Sequence, residues 1–256
     1  PLIYSERNDP NRTNQRQSDR LYRKIVEKNT DKIVFQTTGA QQCYSRKIQK
    51  KSTVILNPLD TTGFPIHNFL CEKKEIVSIG RLEPQKNQKL LIKAFSLIAE
   101  ELPDYSLVIY GEGSLREYLE NYIKSKNLED RVLLPGVKEN VQEYIKDASL
   151  FVLSSDYEGI PNALIEAMAI GLPCVSTDCS PGGARELINS GKNGVIVECG
   201  NAEALANAIS ESICDREKAT LIGKQAELLR RRVDKERIAE KWLKLIKNCR
   251  GKENEI

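Results

Sequence analysis

The chain has 256 residues, with 39 Lys and Arg against 36 Asp and Glu, so its formal net charge is +3. Apolar residues make up 40% of it and charged residues 29%, which is enough for a hydrophobic core and unlike a disordered chain. The length predicts between one and two domains, and so weak a positive charge argues against a nucleic-acid partner.

The first 75 residues differ in pattern from the rest. The chain begins without an initiator Met, in a stretch that resembles the middle of a strand, which predicts a fragment of a longer protein. We predict a helix over residues 18–29 and strands over 31–37 and 53–57. Three turn-forming dipeptides then mark a linker: Asn57-Pro58, Thr62-Gly63 and Phe64-Pro65.

From residue 76 onward, short apolar runs alternate with longer amphipathic ones. Continuous apolar runs are typical of strands that are covered on both faces. The predicted strands are 76–80, 106–111, 132–136, 150–155, 173–178 and 194–198, and the predicted helices are 88–101, 114–126, 141–146, 162–170, 184–189 and 202–213. This order predicts an α/β fold with a doubly wound parallel sheet of about six strands and with ligand-binding loops along one edge.

Two long charged helices, 215–231 and 235–248, are predicted after this domain. The second has an apolar stripe that must pack against another element, formed by Ile238, Trp242, Leu243, Leu245 and Ile246. The last residues, 251–256, are expected to fray.

The cysteine and histidine contents limit the chemistry. The seven cysteines are odd in number and include no Cys-x-x-Cys pair, which favours reduced structural thiols in a cytoplasmic protein. The single histidine, His67, excludes a His-rich metal site and a catalytic His pair, and its loop-like surroundings predict a surface position. The sequence has no apolar run of membrane-spanning length and no recognisable secretory signal.

The loop after the first strand of the predicted sheet contains two cations, Arg81 and Lys86. At the carboxyl end of a buried strand, an Arg fork and a Lys ammonium can converge on one phosphate group. The alternative is that they are two solvated cations of a surface loop.

The loop after the fourth strand leads into a helix through Pro161, which suits a first helical turn. The free amides around residues 162–164 are expected to point into the crevice and to form an anion site. Glu158 precedes the helix and Glu166 lies one and a half turns into it, which together with the cations suits an anionic ligand that is rich in hydroxyls. The alternatives are a loop charge at Glu158 and an exposed helix residue at Glu166, although the small apolar residues after Glu166 favour a buried helix.

Two further glycine-containing turns, 111–113 and 180–186, also follow predicted strands and are weak signals by themselves. Taken together, the motifs resemble the retaining glycosyltransferases of family 4, which have the GT-B fold. The resemblance covers roughly residues 31–250 and rests on Gly-Arg-(x4)-Lys at 80–86, Gly111-Glu112-Gly113, Pro135-Gly136 and above all Glu158 and Glu166 seven residues apart. The stretches 5–10 and 181–186 resemble members that build capsular and other cell-surface polysaccharides.

The resemblance implies a role for each matching residue. Arg81, Lys86 and Glu158 would be the catalytic residues, with the cations on the donor diphosphate and Glu158 on hydroxyls of the transferred sugar. Glu166 would hold the ribose hydroxyls. The other donor-binding residues would be Gly80, Gly111, Val137, Lys138, Gly159, Ile160, Pro161, Asn162, Ala163 and Leu164, with Val137 and Lys138 near the base. The resemblance implies a nucleotide-diphosphate sugar as substrate, with UDP as the commonest nucleotide, and no metal or other cofactor.

The resemblance also implies a missing partner. GT-B enzymes have two Rossmann-like domains, and residues 1–57 resemble only the last two strands of the first one and the helix between them. We therefore expect a remnant and linker over 1–72, a Rossmann-like nucleotide-sugar-binding domain over 73–232, and a return helix and tail over 233–256. Such a chain would bind a donor and have little or no transferase activity. The missing N-terminal domain and a lipid-linked acceptor at the inner membrane face are expected partners, which allows a peripheral location there.

Two alternatives remain open from the sequence. A sugar-nucleotide epimerase or a phosphorylase could use the same fold, although nothing marks the cofactor Lys that a phosphorylase needs. A nucleotide-sugar-binding or protein-interaction module without catalysis belongs to a different class.

Overall fold

A computed structural model describes residues 1–13, 17–70 and 73–250, which form two parallel sheets with helices around them. The predicted frayed tail, 251–256, and Cys71 lie outside the described residues. Within the described ranges, no helix is both long and apolar enough to cross a membrane.

The first sheet has three strands in the order β1-β2-β3. Its elements are β1 (Ile3–Glu6), α1 (Pro10–Thr13), α2 (Gln17–Asn29), β2 (Lys32–Phe35), α3 (Thr38–Gln42), α4 (Arg46–Lys50) and β3 (Ser52–Val54). The strand-like stretch at the start of the chain is confirmed as β1, which pairs in parallel with β2 and places Ile3 opposite Lys32. The count of two remnant strands was wrong, because this sheet has three.

The second sheet confirms the predicted fold, with six parallel strands in the order β6-β5-β4-β7-β8-β9. Its strands are β4 (Lys73–Ile79), β5 (Ser106–Tyr110), β6 (Val132–Gly136), β7 (Ala148–Leu153), β8 (Cys174–Thr177) and β9 (Val195–Val197). The connecting elements are a 3-10 turn (Pro84–Lys86), α5 (Gln88–Ile98), α6 (Arg116–Ser125), α7 (Val141–Ile145), α8 (Asn162–Ile170), α9 (Gly183–Leu187) and α10 (Ala202–Cys214).

The strand order reverses at β4. The chain first builds outward through β5 and β6, and then returns to place β7 on the other side of β4, with Val77 opposite Phe151. The loops after β4 and β7 therefore leave the sheet in different directions and open a crevice between them, which is where doubly wound sheets bind ligands.

Two apolar layers cover the six-stranded sheet. Helices α5, α6 and α10 pack on one face around the fully buried Phe95 and Leu119. The layer on the other face includes α8 and also Val34, Ile55 and Leu56 from the first part of the chain. The two sheets thus share this second layer, while Ile33 and Phe35 of the first sheet lie in a separate apolar cluster.

The C-terminal segment divides into three helices, α11 (Arg216–Glu227), α12 (Arg230–Val233) and α13 (Lys235–Arg250), where two were predicted. Trp242 and Leu245 pack against the shared layer, as the apolar stripe of α13 predicted. Leu243 is 56% exposed and does not belong to that stripe.

The linker lies on the face of the six-stranded domain that carries α8 and α12. The Leu59 amide donates to the Val233 carbonyl at 2.7 Å. The prediction of a surface position for His67 was wrong. His67 is buried, its amide donates to the Ile170 carbonyl at 2.8 Å, and its Nδ1 lies 2.6 Å from the Lys146 carbonyl oxygen.

Candidate functional site

The loop after β4 is shaped around the stem of Lys86. A Cβ added at Gly80 would lie 3.2 Å from Lys86 Cδ, so the absence of a side chain at Gly80 makes room for the lysine. The turn then ends at Asn87, which has a left-handed backbone and whose side chain accepts a hydrogen bond from the Leu90 amide at the start of α5. Lys86 therefore sits at the end of a tight turn and immediately before a capped helix.

Lys86 and Glu158 form an ion pair across the crevice between β4 and β7. Their side chains are only 17% and 8% exposed, so water screens the pair weakly. Ser155 Oγ donates to Glu158 Oε1 at 2.8 Å, and Gln85 Nε2 lies 3.3 Å from Glu158 Oε2. The structure thus brings together two of the residues named from the sequence. The alternative, in which Glu158 is a solvated charge of a loop, is wrong because its side chain is buried and paired.

Further hydrogen bonds join the same two loops. The Asp156 amide donates to the Gln85 carbonyl at 2.9 Å, and Asn87 Nδ2 donates to Asp156 Oδ1 at 2.8 Å. Ser154 Oγ donates to the Lys86 carbonyl at 2.9 Å. Because backbone and side chains both contribute, the positions of Lys86 and Glu158 are set by the ends of two neighbouring strands.

The start of α8 offers fewer free amides than the sequence predicted. The Leu164 and Ile165 amides both lie 3.1 Å from the Pro161 carbonyl oxygen, and they are therefore already used. Within the described residues, this leaves the amides of Asn162 and Ala163 for a ligand. The Leu164 side chain is fully buried, so it supports the helix from the core.

The first part of the chain reaches the loop that precedes α8. A Cβ added at Gly159 would lie 2.2 Å from the Arg7 carbonyl oxygen, so only glycine allows this approach. Asn57 Nδ2 donates to Asn162 Oδ1 at 2.7 Å, and Asn57 Oδ1 accepts a hydrogen bond from Gln36. Ile160 and Pro161 are buried beneath this contact.

Glu166 is partly buried on α8, and Gln142 Nε2 on α7 donates to its Oε2 at 2.9 Å. Burial raises the pKa of Glu166, and the hydrogen bond from Gln142 opposes that rise. The side chain is therefore a half-buried acceptor with a neutral partner, which agrees with the buried helix that its small neighbours indicated.

The remaining residues named from the sequence lie on neighbouring loops. Gly111 follows β5 and lies against the backbone of Gly80. A Cβ added at Gly111 would lie 2.0 Å from the Gly80 carbonyl oxygen. Val137 and Lys138 follow β6, and the Val137 side chain is 71% exposed. Arg81 is also exposed. The contacts of the described residues join neither Arg81 nor the 137–138 loop to the Lys86–Glu158 pair.

A cleft is lined by residues of α3 and of the loop after β8. It has a volume of about 730 Å³, and its lining includes Thr38, Asp178 and Arg185. Arg185 Nε and Asp178 Oδ1 form an ion pair at 2.7 Å. Among the residues that the structure describes, no group of three or more His, Cys, Asp or Glu side chains is placed to hold a metal ion.

Several residues of this arrangement had no assigned role from the sequence, among them Ser155, Gln85, Gln142 and Asn57. Gln85 directly precedes Lys86 and Ser155 lies three residues before Glu158, so their positions were a signal without a stated partner. Gln142 and Asn57 contact residues that are distant in the chain, and no sequence pattern reports such a hydrogen bond.

The six-stranded parallel sheet with helices on both faces has the Rossmann-like fold of the domains of GT-B glycosyltransferases. Anabaena HepE, solved in complex with UDP, superposes with a TM-score of 0.87 at 22% identity, over 97% of this chain and 72% of HepE. At that identity the likeness shows the fold alone.

The family model described as "Glycosyl transferases group 1" matches residues 61–229, more than half of the chain. The chain therefore belongs to this glycosyltransferase family. It is 32% identical over 214 residues to an uncharacterized glycosyltransferase of Haemophilus influenzae, covering 83% of this chain and 60% of that protein.

A second relative, from Campylobacter jejuni, is 32% identical over 200 residues, which cover 77% of this chain and 54% of that protein. It is named N-acetylgalactosamine-N,N'-diacetylbacillosaminyl-diphospho-undecaprenol 4-alpha-N-acetylgalactosaminyltransferase. The chain thus spans 60% or less of the length of these two relatives.

Proposed function

We propose that this chain is the donor-binding part of a retaining glycosyltransferase that uses a nucleotide-diphosphate sugar, with a UDP-sugar as the expected donor. The observation that carries the proposal is the Lys86–Glu158 pair, held across the crevice where the order of the parallel strands reverses. A cation and a carboxylate at such a point suit a ligand with both phosphates and hydroxyls.

We propose that the positively charged groups of the site contact the diphosphate, which is the leaving group. In the transfer, the bond between the anomeric carbon and the diphosphate oxygen breaks, and a bond to the acceptor oxygen forms on the same face of the sugar. The proton of the acceptor hydroxyl passes to the departing nucleoside diphosphate. Negative charge then grows on the diphosphate, where Arg81, Lys86 and the free amides of α8 would stabilise it. With these groups in place, we propose that the reaction needs no metal ion.

We propose that the two carboxylates accept hydrogen bonds from the hydroxyl groups of the donor. Glu158 is close to Lys86, so a sugar joined to a bound diphosphate would lie near it. Glu166 lies deeper along α8 with Gln142 on one oxygen, and we propose that its other oxygen accepts the ribose hydroxyls. The Gly159 to Leu164 backbone would surround the sugar and the phosphate.

The acceptor is proposed to be a polysaccharide or a lipid-linked oligosaccharide. Support comes from the Campylobacter jejuni relative, whose name specifies a diphospho-undecaprenol acceptor. Since the chain spans 54–60% of these relatives, we propose that a further N-terminal domain completes the acceptor site. The chain alone should then bind a nucleotide and transfer sugar poorly.

Calorimetric titration of this chain with UDP and GDP tests the proposal. We expect Lys86→Ala to weaken binding of the preferred nucleotide by about tenfold to a hundredfold, because a charge-assisted contact to phosphate is lost. The matched control is Lys89→Ala, which removes a cation that lies on the Tyr118 and Tyr122 rings of α6, away from the crevice. If no nucleoside diphosphate binds the unmodified chain at millimolar concentration, the proposal fails.

A further inference from the structure

Ser155 lies two residues beyond the end of β7 and has a fully buried side chain. Its hydroxyl donates to Oε1 of Glu158, the same oxygen that contacts the Lys86 ammonium. We propose that Ser155, assisted by Gln85, is a positioning residue that orients Glu158 and thereby holds Lys86 for a diphosphate. That the ligand is a diphosphate rests on the proposed function.

The position of Ser155 is fixed by a hydrogen bond to the next strand of the sheet. Its carbonyl oxygen accepts a hydrogen bond from Thr177 Oγ1, at the end of β8, at 2.6 Å. Thr177 is itself fully buried. The Ser155 hydroxyl therefore has a fixed place relative to two strands of the sheet, and Glu158 acquires that placement through a 2.8 Å hydrogen bond.

Gln85 fixes the second oxygen of the same carboxylate. Its Nε2 lies 3.3 Å from Glu158 Oε2 and donates to the Tyr157 carbonyl at 2.9 Å. With Ser155 on one oxygen and Gln85 on the other, the plane of the carboxylate cannot turn without losing a hydrogen bond. The Glu158 side chain is only 8% exposed, so water cannot easily replace the lost donor.

This fixed carboxylate matters because a lysine is otherwise poorly positioned. Its ammonium group is carried on a flexible four-carbon stem, and it binds phosphate as a point charge without a preferred fork geometry. The ammonium has three N–H donors, and the one that meets Glu158 leaves two that can turn towards a ligand. A carboxylate held by Ser155 and Gln85 therefore sets where Lys86 presents its remaining donors.

We expect substitutions at Ser155 and Gln85 to weaken the binding only of nucleotides that have the terminal phosphate of a diphosphate. Ser155→Ala should weaken UDP or GDP binding about tenfold, as expected for an indirectly lost charged contact, and leave UMP or GMP binding unchanged. Gln85→Ala should show the same pattern with a smaller loss. The matched control is Ser149→Ala, which removes a buried serine hydroxyl at the other end of β7, where it donates to the Lys73 carbonyl at 2.7 Å.

The experiment is calorimetry with UDP, GDP, UMP and GMP on the whole chain and the three variants, with thermal unfolding to confirm that each is folded. If Ser155 had a merely structural role, Ser155→Ala would weaken the binding of mono- and diphosphates equally, and this result would overturn the inference. Unchanged affinities for both classes of nucleotide would overturn it as well. If Ser155→Ala does not fold, Gln85→Ala decides by the same comparison. A failure of the unmodified chain to bind any of these nucleotides counts against the proposed function instead.

Discussion

Glu166 shows how one side chain can be placed at a cost in stability. Its carboxylate is partly buried beside the apolar residues of α8, and Gln142 supplies a neutral donor but no opposite charge. Burial disfavours the charged form, which is why the pKa of Glu166 is raised. At neutral pH, a charged carboxylate in this position therefore lowers the stability of the unliganded chain.

Glu166→Gln should therefore stabilise the unliganded chain at neutral pH. Below the ordinary pKa of 4.5 the carboxyl is protonated in both the folded and the unfolded state, so burial carries no charge penalty there. The penalty grows as the pH rises through the raised folded pKa and is complete above it. We expect the variant to have a higher Tm than the unmodified chain at about pH 7, with a difference that shrinks towards pH 4.

The same substitution should weaken nucleotide binding if Glu166 holds the ribose. Glu143→Gln is the control, because Glu143 is an exposed residue of α7 whose charge is paired with Lys146. An equal Tm gain at both pH values would contradict the assigned cause, since the effect would then be independent of ionisation.

At the site, the sequence was sufficient to predict the position of residues that closely follow a strand in the chain. Lys86 and Glu158 each follow an apolar run by a few residues, so a parallel sheet places both at one edge. Gln142 and Ser155 could not be assigned a role in this way. Their importance lies in which oxygen they contact, and that depends on side-chain directions that no periodicity records.

At the scale of elements, α8 and α11 are packed closely enough to exclude a methyl group. A Cβ added at Gly223 of α11 would lie 2.4 Å from the Gly171 carbonyl oxygen and 2.8 Å from Phe69 Cζ. Gly171 ends α8 with a left-handed backbone, which fixes the carbonyl that α11 meets. The linker, through Phe69, is part of the same contact.

Gly223→Ala should destabilise the protein even though alanine is the better helix former. The gain in helix propensity is about 1 kcal/mol, while forcing backbone and ring apart costs about 1–3 kcal/mol or more. We expect a lower midpoint in urea unfolding. Lys224→Ala is the control on the exposed face of the same helix and should leave the midpoint nearly unchanged. A midpoint at or above that of the unmodified chain would mean that α11 can move away freely.

The predicted bounds agree with the structure for the largely buried α8 and also for β6, in which Leu133 is 45% exposed. Residues 162–170 and 132–136 form α8 and β6 with the predicted bounds. The predicted helix 215–231 breaks at residues 228–229, and α12 follows before α13. A continuous run of charged and apolar residues gives no sign of this break. After it, Arg230 at the start of α12 donates to the Pro65 carbonyl of the linker at 2.6 Å.

At the scale of the molecule, the two sheets meet through direct backbone contact. A Cβ added at Gly39 of α3 would lie 1.6 Å from the Pro181 carbonyl oxygen, in the loop after β8. Nearby, the Thr38 amide donates to Glu186 Oε2 at 2.8 Å. Together with the shared layer, this contact makes the first part of the chain a structural component of the second.

Gly39→Ala should loosen the contact between the two sheets. Neither backbone can yield locally, so the first sheet must shift away from the loop after β8. We expect a loss of roughly 1–3 kcal/mol in the free energy of unfolding, measured by urea titration. Gln42→Ala, on the exposed side of the same helix, serves as the control. Equal stability of the two variants would show that the sheets can separate without cost.

The sequence alone determined the class of fold, the family and the loops that carry the candidate site, because continuous apolar runs and the spacing of Glu158 and Glu166 are local properties of the chain. The tertiary structure decided three further points: the Lys86–Glu158 pairing, the hydrogen bonds from Ser155 and Gln85, and the apolar layer shared by the two sheets. Each of these depends on groups far apart in the chain coming within hydrogen-bonding or van der Waals distance. Folding sets those distances, and the order of residues does not state them.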